Sequence, residues 1–225
     1  MIKKLRAAAD VRTSGIDPGE LLAYLHAQTP QHPELGREVM AFGLGSGDPD
    51  LVQKGRRWAA TAHYARARDE TLPARQRITH ALEVALLESG NEFAHQARLL
   101  AGELEMTDGD PDHATEHLEA VYREADWNRS LPTVVSAAIG LSNLYRKQER
   151  RREAAELFVQ ILGQVDPDRI QETTAQIAYA YALVELAAMH REAGRTDLQR
   201  QLIRRAADYL RQHGEEELAV WAENR

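Results

Sequence analysis

The sequence predicts an all-α fold of antiparallel helix pairs stacked as a solenoid, and three observations carry that prediction. First, Ala74, Ile78 and Ala81 recur as Ala114, Leu118 and Val121, then as Ala154, Phe158 and Ile161, with each step forty residues long. Spacings of four and seven residues share one helix face, so each trio is a buried stripe. Recurrence of such a stripe at a fixed interval marks units that bury their apolar faces against one another. Second, Ala62, Gly102 and Ser142 are also forty apart, and Ala187 stands forty-five further on. Small residues there, opposite Ala74, Ala114 and Ala154, let the two helix backbones of a pair approach closely. Third, Gly, Pro, Asn and Asp clusters punctuate the chain between helical stretches, and no alternating apolar/polar run reads as a strand.

Taken in order, Met1 to Ser14 carries Lys3, Lys4, Arg6 and Arg12 and reads as a flexible basic arm at 1–14, the alternative being a docking arm for an acidic partner. Asp17-Pro18 opens the first helix, with Asp as cap and Pro in the first turn, and Leu21, Leu22 and Leu25 on its face. Gln28 to Pro33 breaks it, a second helix carries Leu35, Val39 and Phe42, and Gly43, Gly45 and Gly47 are expected to stop that helix. Asp48-Pro49 starts a pair with Trp58 and Ala62, then Ala74, Ile78 and Ala81 beyond a turn at Asp69 to Pro73. Gly90-Asn91 marks the next boundary. The following pair turns at Asp108-Gly109-Asp110-Pro111, and Asp126 to Pro132 separates it from a pair with Leu141, Tyr145, Ala154 and Phe158. Beyond Asp166-Pro167-Asp168 the last pair holds Leu183 and Leu186, turns at Gly194, and continues through Ile203 and Ala206. Residues 1–225 are thus expected to form a single domain of units at 17–44, 49–89, 91–126, 131–165 and 168–213, capped by 214–225.

Bulk properties narrow the function classes. The 225 residues carry a net charge of -7, which weighs against general binding to nucleic-acid phosphates. There is no cysteine, so disulfides, thiolate nucleophiles and thiolate metal sites are absent. No apolar run is long enough to suggest a membrane span, and the basic start is followed by no hydrophobic stretch of the secretory kind. A cytoplasmic protein with no membrane partner and no cofactor is expected.

Trp58, Ala62, Ala74, Ile78 and Ala81, with Gly102, Gly109, Ala114 and Leu118, with Leu141, Tyr145, Ala154, Phe158 and Pro167, and with Leu186, Gly194, Ile203 and Ala206, resemble the pattern of the tetratricopeptide repeat family. The resemblance covers about Pro49 to His213, with a weaker pair before it, and Gln199 stands where the pattern wants Ala. Its period departs from the family's usual ~34 residues, as in the long-helix variants of bacterial regulators and adaptors. The resemblance implies a right-handed superhelical solenoid of about five pairs plus a C-terminal capping segment. It also implies a concave surface lined by the first helix of each pair.

Two motifs suggest chemistry. His113-Ala114-Thr115-Glu116-His117 matches the His-x-x-Glu-His arrangement of inverted zinc peptidases. The phasing turns Ala114 inward, which leaves both histidines on or near an outer face without a third ligand, so a zinc-dependent hydrolase ranks last. Gly43-Leu44-Gly45-Ser46-Gly47 lacks the strand and Lys of a phosphate loop and reads as a turn. Nothing supports nucleophilic catalysis, and the chain is expected not to be an enzyme.

The groove offers more. The phasing aligns Arg66, Met106, Arg146 and Arg191 late on successive first helices, with His63, Glu103, Asn143 and Ala188 about a turn earlier. Ala59, Leu99, Ile139 and Val184 form an apolar lane beyond them. Arginine clamps carboxylates through paired N–H groups, so Arg66, Arg146, Arg191, His63 and Asn143 are the candidate contacts for an acidic protein or peptide segment. The competing explanation is that arginines near helix C-termini are favoured by the macrodipole alone. The expected function is a non-catalytic adaptor or scaffold. The alternative is a regulator that binds a small peptide and acts through another protein. Trp221 and Leu218 either cap the C-terminal end or dock a second copy, since solenoid ends expose apolar edges.

Overall fold

The computed structural model describes residues 18–30 and 32–225, and among them every regular element is helical, with no strand. The basic arm at 1–14 and the Asp17 cap lie outside the described residues. The helices are α1 (Pro18–Gln28), α2 (Glu34–Ser46), α3 (Pro49–Ala67), α4 (Ala74–Leu87), α5 (Glu92–Asp108) and α6 (Pro111–Glu124). They continue as α7 (Leu131–Lys147), α8 (Arg151–Gln164), α9 (Thr173–Glu192), α10 (Thr196–Gln212) and α11 (Glu216–Glu223), with one 3-10 turn at Pro167–Arg169. None is long and apolar enough to cross a membrane. Contacts divide the chain into two compact units that meet in sequence at Ser89 and Gly90, where the sequence places a break between pairs.

The boundaries follow local chemistry. Asp48 and Asp110 each precede a proline at the first helical position and accept backbone N–H groups two residues on, at 3.0 Å from Asp50 and 2.8 Å from Asp112. Asn91 caps α5 by accepting from the Ala94 N–H at 3.0 Å. These side chains satisfy donors that a helix start leaves orphaned.

In the first unit the defining contact is between α2 and α3. Gly43 does not stop α2, contrary to the reading of the sequence: the helix runs to Ser46 and only Gly47, at φ 69°, ends it. Gly36, Gly43 and Gly55 lie buried where the two helices cross. A Cβ on Gly55 would stand 2.4 Å from the Met40 nitrogen, and one on Gly36 would stand 2.4 Å from the Ala59 nitrogen. The glycines are there because the backbones touch. Leu25, Leu35 and Val39 form a small core beside this crossing, joined by Leu22, Leu51 and Trp58.

In the second unit each helix packs on its sequence neighbours, and the first helices of successive pairs also touch, α5 with α7 and α7 with α9. Ala114, Leu118, Val121, Ala154, Phe158 and Ile161 are all fully buried, as the forty-residue stripe requires. The small positions explain themselves at Leu118. Its two methyls sit 2.8 Å from where a Cβ would stand on Gly102 of α5 and on Gly140 of α7. One leucine thus fills a notch made by glycines on two helices, and only the first of these was expected from spacing. Tyr122 ties α6 to α8 by donating its hydroxyl to the Leu157 carbonyl at 2.8 Å. Half-buried Trp221 packs against Tyr181 of α9, with ring centroids 4.7 Å apart.

Candidate functional site

The expected row of groove residues is divided by its surroundings. In the first unit His63 is turned into the α3–α4 hairpin, where its Nδ1 lies 2.9 Å from Nδ1 of His80. Arg66, half-buried on the same helix, lines a concavity of about 430 Å³ with His32, Arg37, His63, His80 and Glu83. In the second unit Asn143 is exposed, while Arg146 pairs with the Glu192 carboxylate. Arg191 is exposed and donates to the backbone carbonyl of Arg225. The apolar lane is partly closed: Ala59 and Val184 are buried in the core, whereas Leu99 and Ile139 are half-covered. Arg146 and Arg191 therefore already hold oxygen acceptors supplied by α9 and the C-terminus.

A second concavity, absent from the sequence reading, lies against α8 and α9. It has a volume of about 360 Å³. Arg152, Ala155, Glu156 and Val159 form its α8 wall, spaced so that they share one helix face. Leu186, Met189 and His190 of α9 form the other wall, and Arg146, Arg151 and Arg195 stand at its margin. Val159 on the α8 wall is 47% exposed, Ala155 is half-buried, and Leu186 and Met189 opposite are buried. Arg146 is neutralised by Glu192, and Arg151 meets only the exposed Glu149 at 3.4 Å. Among the described residues Arg152 and Arg195 form no salt bridge. Burial, reinforced by the charge of Arg195, lowers the His190 pKa, so this imidazole is neutral near pH 7.

The turn leading into this cleft is unusual. Glu149 has φ 61°, the left-handed conformation that glycine adopts at Gly194 and Gly214. The Arg150 N–H closes the turn on the Tyr145 carbonyl at 2.8 Å, as the Arg195 N–H does on His190 at 2.8 Å. The helix starts after the two turns supply Arg151, Arg152 and Arg195 to the same cleft, while Arg150 pairs with Glu153.

A larger hollow of about 570 Å³ lies along α10, where Arg200, Arg204 and Arg205 are interleaved with Asp168, Asp197 and Asp208. Within it Arg200 meets Asp197 at 3.2 Å, and Arg205 donates to the Tyr179 hydroxyl at 2.6 Å. The zinc-like motif has an exposed His113 and a half-buried His117 on either side of the buried Ala114. Among the described residues no group of three or more His, Cys, Asp or Glu side chains is placed to hold a metal ion.

No protein-family model matches the chain, and comparison with curated proteins finds no relative.

The sequence carried one signal for the α8–α9 cleft. Val159 lies on the stripe of Arg152, Ala155 and Glu156, displaced from the buried stripe of Ala154, Phe158 and Ile161.

Proposed function

We propose that the chain is a non-catalytic adaptor, a right-handed superhelical array of tetratricopeptide-like helix pairs that recognises an acidic protein or peptide segment. The observation that carries this reading is the cleft of the second unit, where Arg151, Arg152 and Arg195 border an apolar lining in which Val159 is exposed beside half-buried Ala155 and buried Leu186 and Met189. Apolar area supplies affinity and guanidinium groups select carboxylates, so the fitting ligand carries an aliphatic anchor flanked by Asp or Glu. Arg146 lines the cleft while paired with Glu192, and Asn143 is exposed on α7, able to meet a passing backbone.

The test is fluorescence anisotropy with a labelled peptide in which one leucine is flanked by glutamates. Binding is expected in low salt and should weaken as salt screens the exposed charges. The triple variant Arg151→Glu, Arg152→Glu, Arg195→Glu should lose affinity by at least about tenfold, the effect of ~1.4 kcal/mol. Unchanged affinity, or equal binding of a lysine-flanked peptide, would remove the assignment.

A further inference from the structure

The first unit contains a contact that the acidic-segment reading does not use. His63 of α3 and His80 of α4 meet through their Nδ1 atoms at 2.9 Å. The ring centroids are 5.1 Å apart with planes at 41°, so the rings approach through their nitrogens and not face to face. Two nitrogens at this separation need one hydrogen between them. One imidazole therefore carries its proton on Nδ1 and donates, while the other carries its proton on Nε2 and accepts.

The surroundings make a further proton costly. Arg37 approaches from α2 and Arg66 from α3, and both disfavour a charged His63. Glu83, one turn beyond His80 on α4, favours it, but that carboxylate is taken by Arg37. His32, paired with Glu34 at 3.1 Å, completes the wall of the concavity. Ala62 and Ala81, the sequence neighbours of the two histidines, are buried, and both imidazoles line the concavity.

We propose that the His63–His80 pair is an acid-sensitive latch between α3 and α4, closed while one Nδ1 lacks a proton and open when both imidazoles are protonated. A first proton leaves an N–H⁺···N bond intact. A second sets two N–H groups and two positive charges against each other at the same 2.9 Å. Burial, the largest cause, and the neighbouring arginines hold both histidines below their ordinary range. The unfolded hairpin therefore takes up protons first. The stabilisation is complete above the ordinary histidine pKa of about 6.5 and is lost as pH falls through the lower folded values.

Hydrogen exchange of the full chain, corrected for intrinsic rates, reads this directly. Between about pH 7.5 and about pH 5, the α3 and α4 amides flanking the pair should lose roughly tenfold of their protection. In the double variant His63→Asn, His80→Asn, whose amides cannot titrate, that local loss should vanish. Protection that does not change with pH in the native chain, or the same acid loss in the variant, would overturn the latch. Should the variant fail to fold, imidazole ¹⁵N shifts of the native chain decide: one Nδ1–H and one Nε2–H tautomer at neutral pH support the pair, and two Nε2–H tautomers refute it.

Discussion

Replacing Gly55 by alanine adds one methyl group to the first unit and should cost more than most single substitutions. Its Cβ would stand 2.4 Å from the Met40 nitrogen, 2.5 Å from the Gly36 carbonyl oxygen and 2.9 Å from the Met40 Cα. All three atoms are backbone, so no side chain can swing aside, and α2 and α3 must separate by about 1 Å to restore ordinary contact distances. A gap of ~0.5–1 Å forfeits a quarter to a half of each dispersion contact across the crossing. Overpacking of this kind costs ~1–3 kcal/mol, and more where backbone must yield. Against it stands the better helix propensity of alanine, worth about 1 kcal/mol. The expected net effect is a loss of about 2 kcal/mol, with the overpacking cost at the upper end of its range.

Gly45 supplies the control. It lies in the same helical segment as Gly43, and a Cβ there meets nothing within 4 Å. Gly45→Ala should therefore stabilise by up to about 1 kcal/mol through propensity alone. Urea unfolding followed by fluorescence isolates the first unit if Trp127 and Trp221 are replaced by Phe, because Trp58 then reports alone. Opposite shifts of the midpoint for the two variants are expected. If Gly55→Ala is as stable as the parent, or shifts in the same direction as Gly45→Ala, the close crossing of α2 and α3 is wrong.

The second unit yields two further tests. Ala114 and Ala154 are fully buried between paired helices, so Ala114→Leu or Ala154→Leu should destabilise by about 1–3 kcal/mol; unaltered thermal unfolding would break the alignment of the stripes. Glu149 is held at φ 61° in the turn before α8, a conformation costing roughly 1–2 kcal/mol for a residue with a Cβ. Glu149→Gly should therefore raise the denaturation midpoint by an equivalent of about 1 kcal/mol, and a lower midpoint would show that its side chain supports the turn.

How much of this was legible depended on whether a residue's partner lay at a fixed sequence interval. Ala114, Leu118 and Val121 were assigned to the core because burial repeats with the helix, and the helices did form where the caps Asp48, Asn91 and Asp110 stand. Gly43 was misread because a glycine that ends a helix and one that lets another helix approach look alike in sequence. Of Gly43, Gly45 and Gly47, only Gly47 has the positive φ of a terminator. The change of interval from forty to forty-five residues also has a local cause. A longer linker containing the 3-10 turn Pro167–Arg169 precedes α9, and α9 itself has 20 residues where α7 has 17.

The arginines mark the limit of periodic reasoning. Arg146 and Arg191 occupy equivalent places on α7 and α9, yet what each does is set by carboxylate or carbonyl oxygens from elsewhere, Glu192 and Arg225. An exposed ion pair contributes little to stability, typically ~0–1 kcal/mol, so these contacts are easily exchanged for a ligand's carboxylates and do not forbid binding. They do set its cost, since an incoming acid must displace an acid already present. Arg152 and Arg195 need no such exchange, and they line the cleft in which Val159 is exposed. An anionic segment should therefore engage those two first, with Arg146 joining only if the ligand can outcompete Glu192. In a double-mutant comparison, Glu192→Gln should then strengthen binding in the parent and have little effect once Arg146 is replaced by Gln.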